Sequence, residues 1–271
     1  MNAGKVSVIM GVYNCASTLK EAIQSIQRQT YLNWELILCD DGSNDDTYKI
    51  AEEMAETDCR ILLIRNRENL GLNRTLNRCL EHAKGQYIAR MDGDDDCFPD
   101  RFAKQVAFLE THPEFAIVST QMILFDENGD WGCTHAKDFP QPKDVACSSP
   151  ICHAPVMMRR DCIEAVGGYT EDPHSYRVED VDLWIRLYAA GYRCYNIQEP
   201  LYRMRNDQEA FARRKYKYRV NAVYVRLKGC RLLGLDFLCR LRAFQPMLNG
   251  LVPVKMRQKI RKWQQKKAAR A

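Results

Sequence analysis

The chain has 271 residues, which can form one large α/β domain or a domain plus an appendage, and with 46% hydrophobic residues it can build a sizeable core. We expect no transmembrane helix and no signal peptide, because no run of eighteen uncharged apolar residues occurs and the N-terminus leads straight into a strand. The net charge of +5 hides an asymmetry, since residues 203–271 hold 20 Lys and Arg against 3 Asp and Glu, whereas residues 1–202 hold 20 against 32. An acidic body with a basic tail predicts an anionic partner surface, either membrane headgroups or nucleic acid.

The twelve cysteines are scattered along the chain and form no Cys-x-x-Cys pair. Several of them, such as Cys39, Cys79 and Cys194, lie inside apolar segments. This pattern favours reduced, buried thiols in a cytosolic protein over a disulfide framework or a zinc site.

Apolar strands alternate with helices over the first hundred residues. Strands are predicted at 6–10, 34–39, 60–64 and from Tyr87, and helices over about 18–29, over 47–57 and, after a turn at 69–73, through about His82. The alternation predicts right-handed βαβ units, and hence an α/β domain with a mainly parallel central sheet flanked by helices.

Polar residues follow three of these four strands, at 13–14, 40–43 and 92–96. Ligands of parallel sheets bind beyond the carboxyl ends of the strands, so we expect these three segments to face one crevice. The chain contains neither Gly-x-Gly-x-x-Gly nor a P-loop, which argues against a nicotinamide or P-loop site. If a nucleotide binds here, a metal must hold its phosphates.

The fourth strand ends in four carboxylates within five positions, hinged on Gly93. They are Asp92, Asp94, Asp95 and Asp96. Such a cluster repels itself unless a cation or several hydrogen-bond donors neutralise it. An Asp-x-Asp pair can aim two oxygens at one Mg²⁺ or Mn²⁺, and a solvated acidic turn is the alternative.

The second hundred residues continue with mixed elements. They are a helix from Pro99, a strand at 115–119, a turn-rich excursion at 129–142, a strand at 151–160, a short helix after 160 and a helix from Glu179. The excursion either lines an acceptor groove or covers it. His153, which opens the second of these strands, is either a structural group or a site residue.

Three carboxylates, Glu179, Asp180 and Asp182, begin the last of these helices. They complement the helix dipole, at ~0.3–1 kcal/mol each. A second acidic cluster at this distance along the chain is also what chemistry with a metal and a general base requires.

Six ordered motifs over residues 6–205 resemble the family-two inverting glycosyltransferases of the GT-A fold, especially bacterial enzymes that build surface polysaccharides such as O-antigen or capsule. The motifs lie at 6–14, 40–43, 69–72, 89–95, 167–169 and 179–184. The resemblance implies a glycosyltransferase domain at 1–205, with a nucleotide-binding half at about 1–100 and an acceptor-binding half at about 101–205.

The resemblance also implies roles for individual residues. Asp180 resembles the general base, with Glu179 as the alternative, and Asp94 and Asp92 resemble the ligands of a Mn²⁺ or Mg²⁺ ion. The residues that the resemblance assigns to the nucleotide sugar are Gly11, Tyr13, Asn14, Asp40, Asp41, Asn69, Gly71, Asp92, Gly93 and His153.

The implied reaction transfers a hexose or N-acetylhexosamine from a UDP-sugar to a hydroxyl of a polyprenyl-diphosphate-linked oligosaccharide, with inversion to a β-glycoside. Two alternatives remain open: a non-catalytic relative that binds membrane or nucleic acid, and a nucleotidyltransferase. The sequence departs from the family pattern at three places. Gly11 replaces a usual Pro or Thr, Asp96 stands at a usually apolar position, and the segment 204–207 lacks the His that many relatives carry.

Residues 206–271 are predicted to form a basic, amphipathic helical region, in which leucines and Phe237 alternate with Arg231, Arg240 and Arg242. We expect this region to bind an anionic membrane, which would place the protein in the cytoplasm, peripheral on the inner face of the cell membrane. The alternative is a helical cap with a solvated basic rim. Nucleic acid is not an expected partner, because no recognition motif accompanies the charge.

Overall fold

The first half of the chain forms a parallel α/β unit. The computed structural model describes residues 4–206, 216–250 and 256. The first elements are β1 (Val6–Val12), α1 (Leu19–Gln27), β2 (Trp34–Asp40), α2 (Thr47–Thr57), β3 (Ile61–Arg65), α3 (Leu72–His82) and β4 (Tyr87–Arg90). These strands pair in parallel in the order β3-β2-β1-β4. All the strands and helices predicted here are present, and the mainly parallel α/β class is confirmed.

The register of these strands brings the polar loops together. Val12 at the end of β1 pairs with Asp40 at the end of β2, and Ile9 pairs with Arg90 at the end of β4. The loops that follow the three strands therefore leave the same edge of the sheet, as expected for a ligand crevice.

The second half adds antiparallel strands to this sheet. Its elements are β5 (Asp96–Cys97), α4 (Arg101–Thr111), β6 (Ile117–Asp126), β7 (Gly129–Cys133), α5 (Pro142–Cys147), β8 (Met157–Arg159), α6 (Arg160–Ala165), a 3₁₀ helix (Pro173–Ser175), α7 (Glu179–Ala189) and β9 (Cys194–Arg205). Across the described residues the strands follow the order β3-β2-β1-β4-β8-β6-β9-β5, with β7 paired to β6. β8 is antiparallel to both of its neighbours, whereas β6 and β9 are parallel.

Three predictions for this half need correction. The strand expected at 151–160 is only β8, because it pairs with β4 over three residues, and His153 lies in the turn before it. The excursion at 129–142 begins with β7, which forms a hairpin with β6. β9 was not predicted from the sequence, because Asn196, Gln198 and Pro200 interrupt its apolar pattern.

Alternating side chains of the strands feed two hydrophobic clusters, one on each face of the sheet. In β1, Val8 and Met10 belong to the first cluster and Ile9 to the second, as the two-residue period of a strand requires. The second cluster contains Trp184 of α7 and also Val225.

Three helices follow, namely α8 (Lys217–Leu232), α9 (Phe237–Arg242) and α10 (Gln245–Gly250). α8 lies close against α7, since a Cβ on Gly229 would come within 2.4 Å of Ile185 Cδ1. Residues 207–215, 251–255 and 257–271, which hold much of the basic charge of the C-terminal region, lie outside the described residues, and the division of the chain at residue 205 stays a prediction. Within the described ranges, no helix combines the length and hydropathy needed to cross a bilayer.

All twelve cysteines lie in described parts of the chain and are free thiols. Seven of them are buried, in keeping with the expected reduced thiols of a hydrophobic interior.

Candidate active site

The loops after β1 and β2 are joined by reciprocal hydrogen bonds. The N–H of Asn14 donates to Ser43 Oγ at 3.0 Å, and Asn14 Oδ1 accepts from the N–H of Asn44 at 2.9 Å. Asn14 has a positive φ of 50°, a conformation that Asn tolerates better than most residues. Tyr13 beside it, in the loop after β1, is exposed.

Asp40 and Asp41 are buried and hold the neighbouring loops in place. Asp41 Oδ1 accepts from Asn66 Nδ2 at 2.7 Å and from the Leu70 N–H at 2.9 Å, and Oδ2 accepts from the Gly71 N–H at 2.9 Å. Asp40 pairs with Arg65 at 3.1 Å. A carboxylate has about four acceptor positions, so Asp41 keeps capacity for one further donor.

Two other predicted contacts of the nucleotide lie on the same side of the crevice. Asn69 is exposed in the turn that Asp41 holds, and Gly71, at a φ of 87°, precedes α3. Gly11 packs against α3 instead of lining open space, because an added Cβ would lie 3.0 Å from a methyl group of Thr75.

The acidic loop after β4 is fastened to the end of β9. Asp95 Oδ2 accepts from the Tyr202 hydroxyl at 2.9 Å, and Oδ1 accepts from the Arg205 N–H at 2.7 Å. The Tyr202 oxygen in turn accepts from the Asp92 N–H at 3.2 Å. Burial, followed by the charges of Asp92 and Asp94, raises the pKa of Asp95 well above its ordinary value. Asp95 is thus a structural member of the cluster, whereas Asp92, Asp94 and Asp96 are partly exposed.

Gly93 and Asp96 also have defined roles in this loop. A Cβ on Gly93 would lie 2.8 Å from Val12, so the close packing of the loop on β1 requires glycine. Asp96, which stands where the family is usually apolar, pairs with Arg28 at 3.3 Å and with Arg203 at 3.5 Å. Its charge is neutralised there by two guanidinium groups.

Arg90, at the end of β4, is a buried cation among the predicted site residues. Its guanidinium pairs with Asp92, and its Nε is buried without a hydrogen-bond partner among the described residues. Burial opposes its charge, but Asp92, Tyr169 and other acidic neighbours, including Glu179, raise the pKa of Arg90 overall. The acidic loop and the N-terminus of α7 therefore share the field of one cation.

The three carboxylates at the start of α7 divide into two groups. Asp182 is buried and accepts from Thr170 Oγ1 at 2.6 Å and from Arg186 Nε at 2.7 Å, so it has a structural role. Glu179 and Asp180 are only partly buried. Burial and then the charge of Asp180 raise the pKa of Glu179 to about 7, and burial raises the pKa of Asp180, against the opposing effect of Arg90.

His153 lies beside the same group of residues. Its Nε2 is 2.9 Å from the Tyr169 hydroxyl, and its ring stands edge-on to Trp184 with centroids 5.7 Å apart. Burial and then the charge of Arg90 lower the pKa of His153 well below its ordinary value. A neutral imidazole is available there as a hydrogen-bonding group but not as a cation.

The structure thus brings together residues from distant parts of the sequence. Arg90 forms an ion pair with Asp92, and its positive charge also lowers the pKa of Glu179, Asp180 and His153. The residues that support this arrangement had no individual role predicted from the sequence. They are Arg90, Asp95, Tyr169 and Tyr202. Arg90 could have been recognised, because it ends an otherwise apolar strand and a buried charge requires a partner.

Comparison with known proteins identifies the family. The model of glycosyl transferase family 2 matches residues 7–166, and that of glycosyl transferase family group 2 matches residues 87–263. The putative glycosyltransferase EpsE of Bacillus subtilis is 46% identical over 255 residues, covering 93% of this chain and 92% of EpsE. An Escherichia coli protein, the UDP-Glc:alpha-D-GlcNAc-diphosphoundecaprenol beta-1,3-glucosyltransferase WfaP, is 30% identical over 191 residues, covering 70% of this chain and 73% of WfaP.

The fold matches solved structures as well. The crystal structure of S. aureus TarS 1-349 in complex with UDP-GlcNAc superposes with a TM-score of 0.68 at 17% identity, covering 90% of this chain and 72% of TarS 1-349. This likeness shows the GT-A fold that the sequence motifs implied. With the family model spanning more than half of its length, the chain belongs to glycosyl transferase family 2.

Proposed function

We propose that this protein is an inverting glycosyltransferase that transfers a hexose or N-acetylhexosamine from a UDP-sugar to a hydroxyl of a polyprenyl-diphosphate-linked oligosaccharide. The observation that supports it most is the position of Arg90, which pairs with Asp92 and also acts on the pKa of Glu179 and Asp180. Donor-side and base-side carboxylates close enough to share one cation are what a direct displacement requires.

The names of related proteins support the substrate classes. WfaP is described as a transferase that uses UDP-Glc and a diphosphoundecaprenol-linked GlcNAc, and TarS has been crystallised with UDP-GlcNAc. A donor with a uracil base also suits the remaining acceptor capacity of Asp41. We extend both classes to this chain, which makes polysaccharide biosynthesis such as that of O-antigen or capsule its proposed setting.

The residues present fit a divalent cation bound together with a diphosphate. Among the described residues no group of three metal-ligating side chains occurs, so the chain offers Asp94 and Asp92 and leaves further positions to phosphate oxygens and water. This is the usual coordination of Mg²⁺ or Mn²⁺ at nucleotide sites. When bound, the ion would neutralise charge on the departing UDP.

The chain's own residues supply the remaining chemistry. Asp180, with its raised pKa, accepts the proton of the acceptor hydroxyl as the oxygen attacks the anomeric carbon, and Glu179 is the alternative base. Attack from the face opposite UDP converts an α-linked donor into a β-glycoside through an oxocarbenium-like transition state. His153 and Tyr169 are joined by a hydrogen bond and offer uncharged side chains that contact the sugar or the acceptor.

The acceptor lipid sets the proposed location. A polyprenyl diphosphate stays in the bilayer, so the enzyme works in the cytoplasm on the inner face of the cell membrane, with its basic C-terminal region against anionic lipid.

Titration calorimetry with UDP and Mn²⁺ tests the proposal. We expect metal-dependent UDP binding that Asp94→Ala abolishes and Asp96→Ala preserves, because Asp96 is paired with Arg28 and Arg203. Absence of UDP binding in the unmodified protein would favour the non-catalytic module. A donor screen with a lipid-diphosphate acceptor mimic should then release UDP, whereas release of inorganic diphosphate would indicate a nucleotidyltransferase.

A further inference from the structure

Exposed apolar side chains are concentrated in the C-terminal helices. Of the fifteen large hydrophobic residues exposed among the described residues, ten lie in 216–256 and five in 4–206. Scattered exposed hydrophobics are normal, but a contiguous group of them marks an interaction site.

α9 and the start of α10 show how this group is arranged. Phe237 is 69% exposed, Leu238 63% and Leu241 52%, whereas Cys239 between them is 7% exposed. Since successive residues of a helix turn by about 100°, these three apolar side chains share one outward arc, and Arg240 and Arg242 lie on either side of it. Phe244 and Leu248 continue the exposed apolar surface.

The opposite side of these helices is attached to the protein. Asp236 caps α9 by accepting from the Cys239 N–H at 2.8 Å, and the Cys147 thiol of α5 points to the Cys239 carbonyl oxygen at 3.7 Å. Arg219 of α8 donates to the Pro246 carbonyl oxygen at 2.8 Å. The apolar arc is therefore presented outward by contacts with α5 and α8.

The positive charges around this arc favour an anionic partner. Arg231, Arg240 and Arg242 are exposed, and the acidic residue of this segment, Asp236, is used as the helix cap. Apolar side chains flanked by arginines are the arrangement of helices that lie in the interface of an anionic bilayer. A second copy of this chain fits less well, because equal positive charges would then meet at the contact.

We propose that Phe237, Leu238, Leu241, Phe244 and Leu248, with Arg240 and Arg242, form a docking face that lies in the headgroup region of an anionic membrane. This inference rests on the proposed function and specifies which surface meets the lipid. The apolar side chains reach the acyl boundary and the two arginines contact lipid phosphates.

α8 connects the docking face to the candidate active site. Asn221 Nδ2 donates to the Tyr176 carbonyl oxygen at 3.0 Å, and His174 contacts Tyr224 with ring centroids 4.6 Å apart. Lys228 lies 3.7 Å from Asp182 of α7. Docking therefore fixes the orientation of the crevice relative to the bilayer that carries the acceptor.

Vesicle flotation of the full-length protein tests the docking face. We expect binding to phosphatidylcholine vesicles that contain phosphatidylglycerol, and at least about tenfold weaker binding for the double variant Phe237→Ser/Leu241→Ser. Leu32→Ser is the matched control, because Leu32 is 71% exposed in the loop before β2 and its replacement should leave binding unchanged. Arg240→Gln/Arg242→Gln should weaken binding to the anionic vesicles by about fivefold per charge and leave weak binding to pure phosphatidylcholine unaltered.

Equal binding of the double serine variant and the unmodified protein would overturn the proposal. A dimer by light scattering that the double serine variant converts to a monomer, without any vesicle binding, would also overturn it and assign the face to a second copy. Vesicle binding is measured without donor or acceptor. If the unmodified protein binds vesicles but shows no transferase activity, the proposed function is refuted and the docking face still stands.

Discussion

Asp180 stands in the first turn of α7, where the helix dipole favours its ionised form while burial raises its pKa. Asp180→Asn keeps the shape of the side chain and removes the basic oxygen, so kcat should fall by ~10²–10⁴. UDP binding by calorimetry should stay close to that of the unmodified protein. Glu179→Gln is the matched neighbour, and a larger loss of kcat in that variant would assign the base to Glu179.

Arg90 lowers the pKa of both Glu179 and Asp180, so its removal should change the pH dependence of the reaction. Without the cation the carboxylates ionise at higher pH, and the base stays protonated further up the pH scale. The acidic limb of the kcat/KM profile of Arg90→Gln should therefore move to higher pH.

Arg28→Gln is the control for this pH profile, because Arg28 pairs with Asp96 away from the base. A profile of Arg90→Gln that is unchanged, or shifted to lower pH, would show that Arg90 does not act on the base.

Asp180 could be predicted as a site residue from the sequence, whereas Arg90 could not. Carboxylates at the ends of strands and at the start of a helix stand out in the sequence, because such clusters need neutralisation. Their supporting partners do not stand out, since Asp95 meets Tyr202 across 107 positions of the chain. A hydrogen bond between residues so far apart leaves no local pattern.

Helices and strands also differ in whether local sequence or distant pairing determines them. β1 to β4 and α1 to α3 follow from local hydrophobic periods, which is why their predicted bounds agree closely with the structure. β9 depends on pairing with β6 and β5, and the buried Asn196 side chain donates to the carbonyl oxygens of Lys137 and Pro150 in distant loops. The hairpin of β6 and β7 likewise depends on pairing that the turn-rich sequence of 129–142 did not reveal.

The attachment of β9 to the acidic loop predicts a positioning role for Tyr202. Tyr202→Phe removes one donor from the buried carboxylate of Asp95 and the acceptor of the Asp92 N–H. We expect apparent metal affinity to fall by about 10–100-fold, as for other residues that orient metal ligands, and stability to fall by about 1–3 kcal/mol. The dependence of UDP release on Mn²⁺ concentration measures the first, and urea unfolding the second.

Tyr188→Phe is the matched control for this variant. Tyr188 is also buried, and its hydroxyl donates to the Pro140 carbonyl oxygen at 3.0 Å, away from the acidic loop. It should lose stability to a similar extent and keep its metal dependence. Parallel changes of metal dependence in both variants would show that Tyr202 acts only on global stability.

Charge is distributed unevenly between the two parts of the chain. Residues 203–271 carry a net charge of +17 and residues 1–202 a net charge of −12. An anionic bilayer attracts the first segment and repels the second, so the molecule should orient with its C-terminal helices toward the lipid. Because α8 packs against α7, the same orientation applies to Glu179 and Asp180 at the start of α7.

If this orientation is correct, added salt should lower turnover of a membrane-bound acceptor but not of a soluble one. Raising the ionic strength from 0.01 to 1 M shortens the Debye length from about 30 Å to about 3 Å, so attraction to the bilayer weakens steeply. Turnover of a polyprenyl-linked acceptor held in phosphatidylglycerol vesicles should therefore fall with added salt. Turnover of a short-chain acceptor free in water should change little, because the hydrogen bonds and packing of the crevice act over a few ångströms. An equal loss for both acceptors would place the salt effect in the crevice, and a loss for neither would mean that electrostatic attraction does not bring this enzyme to its acceptor.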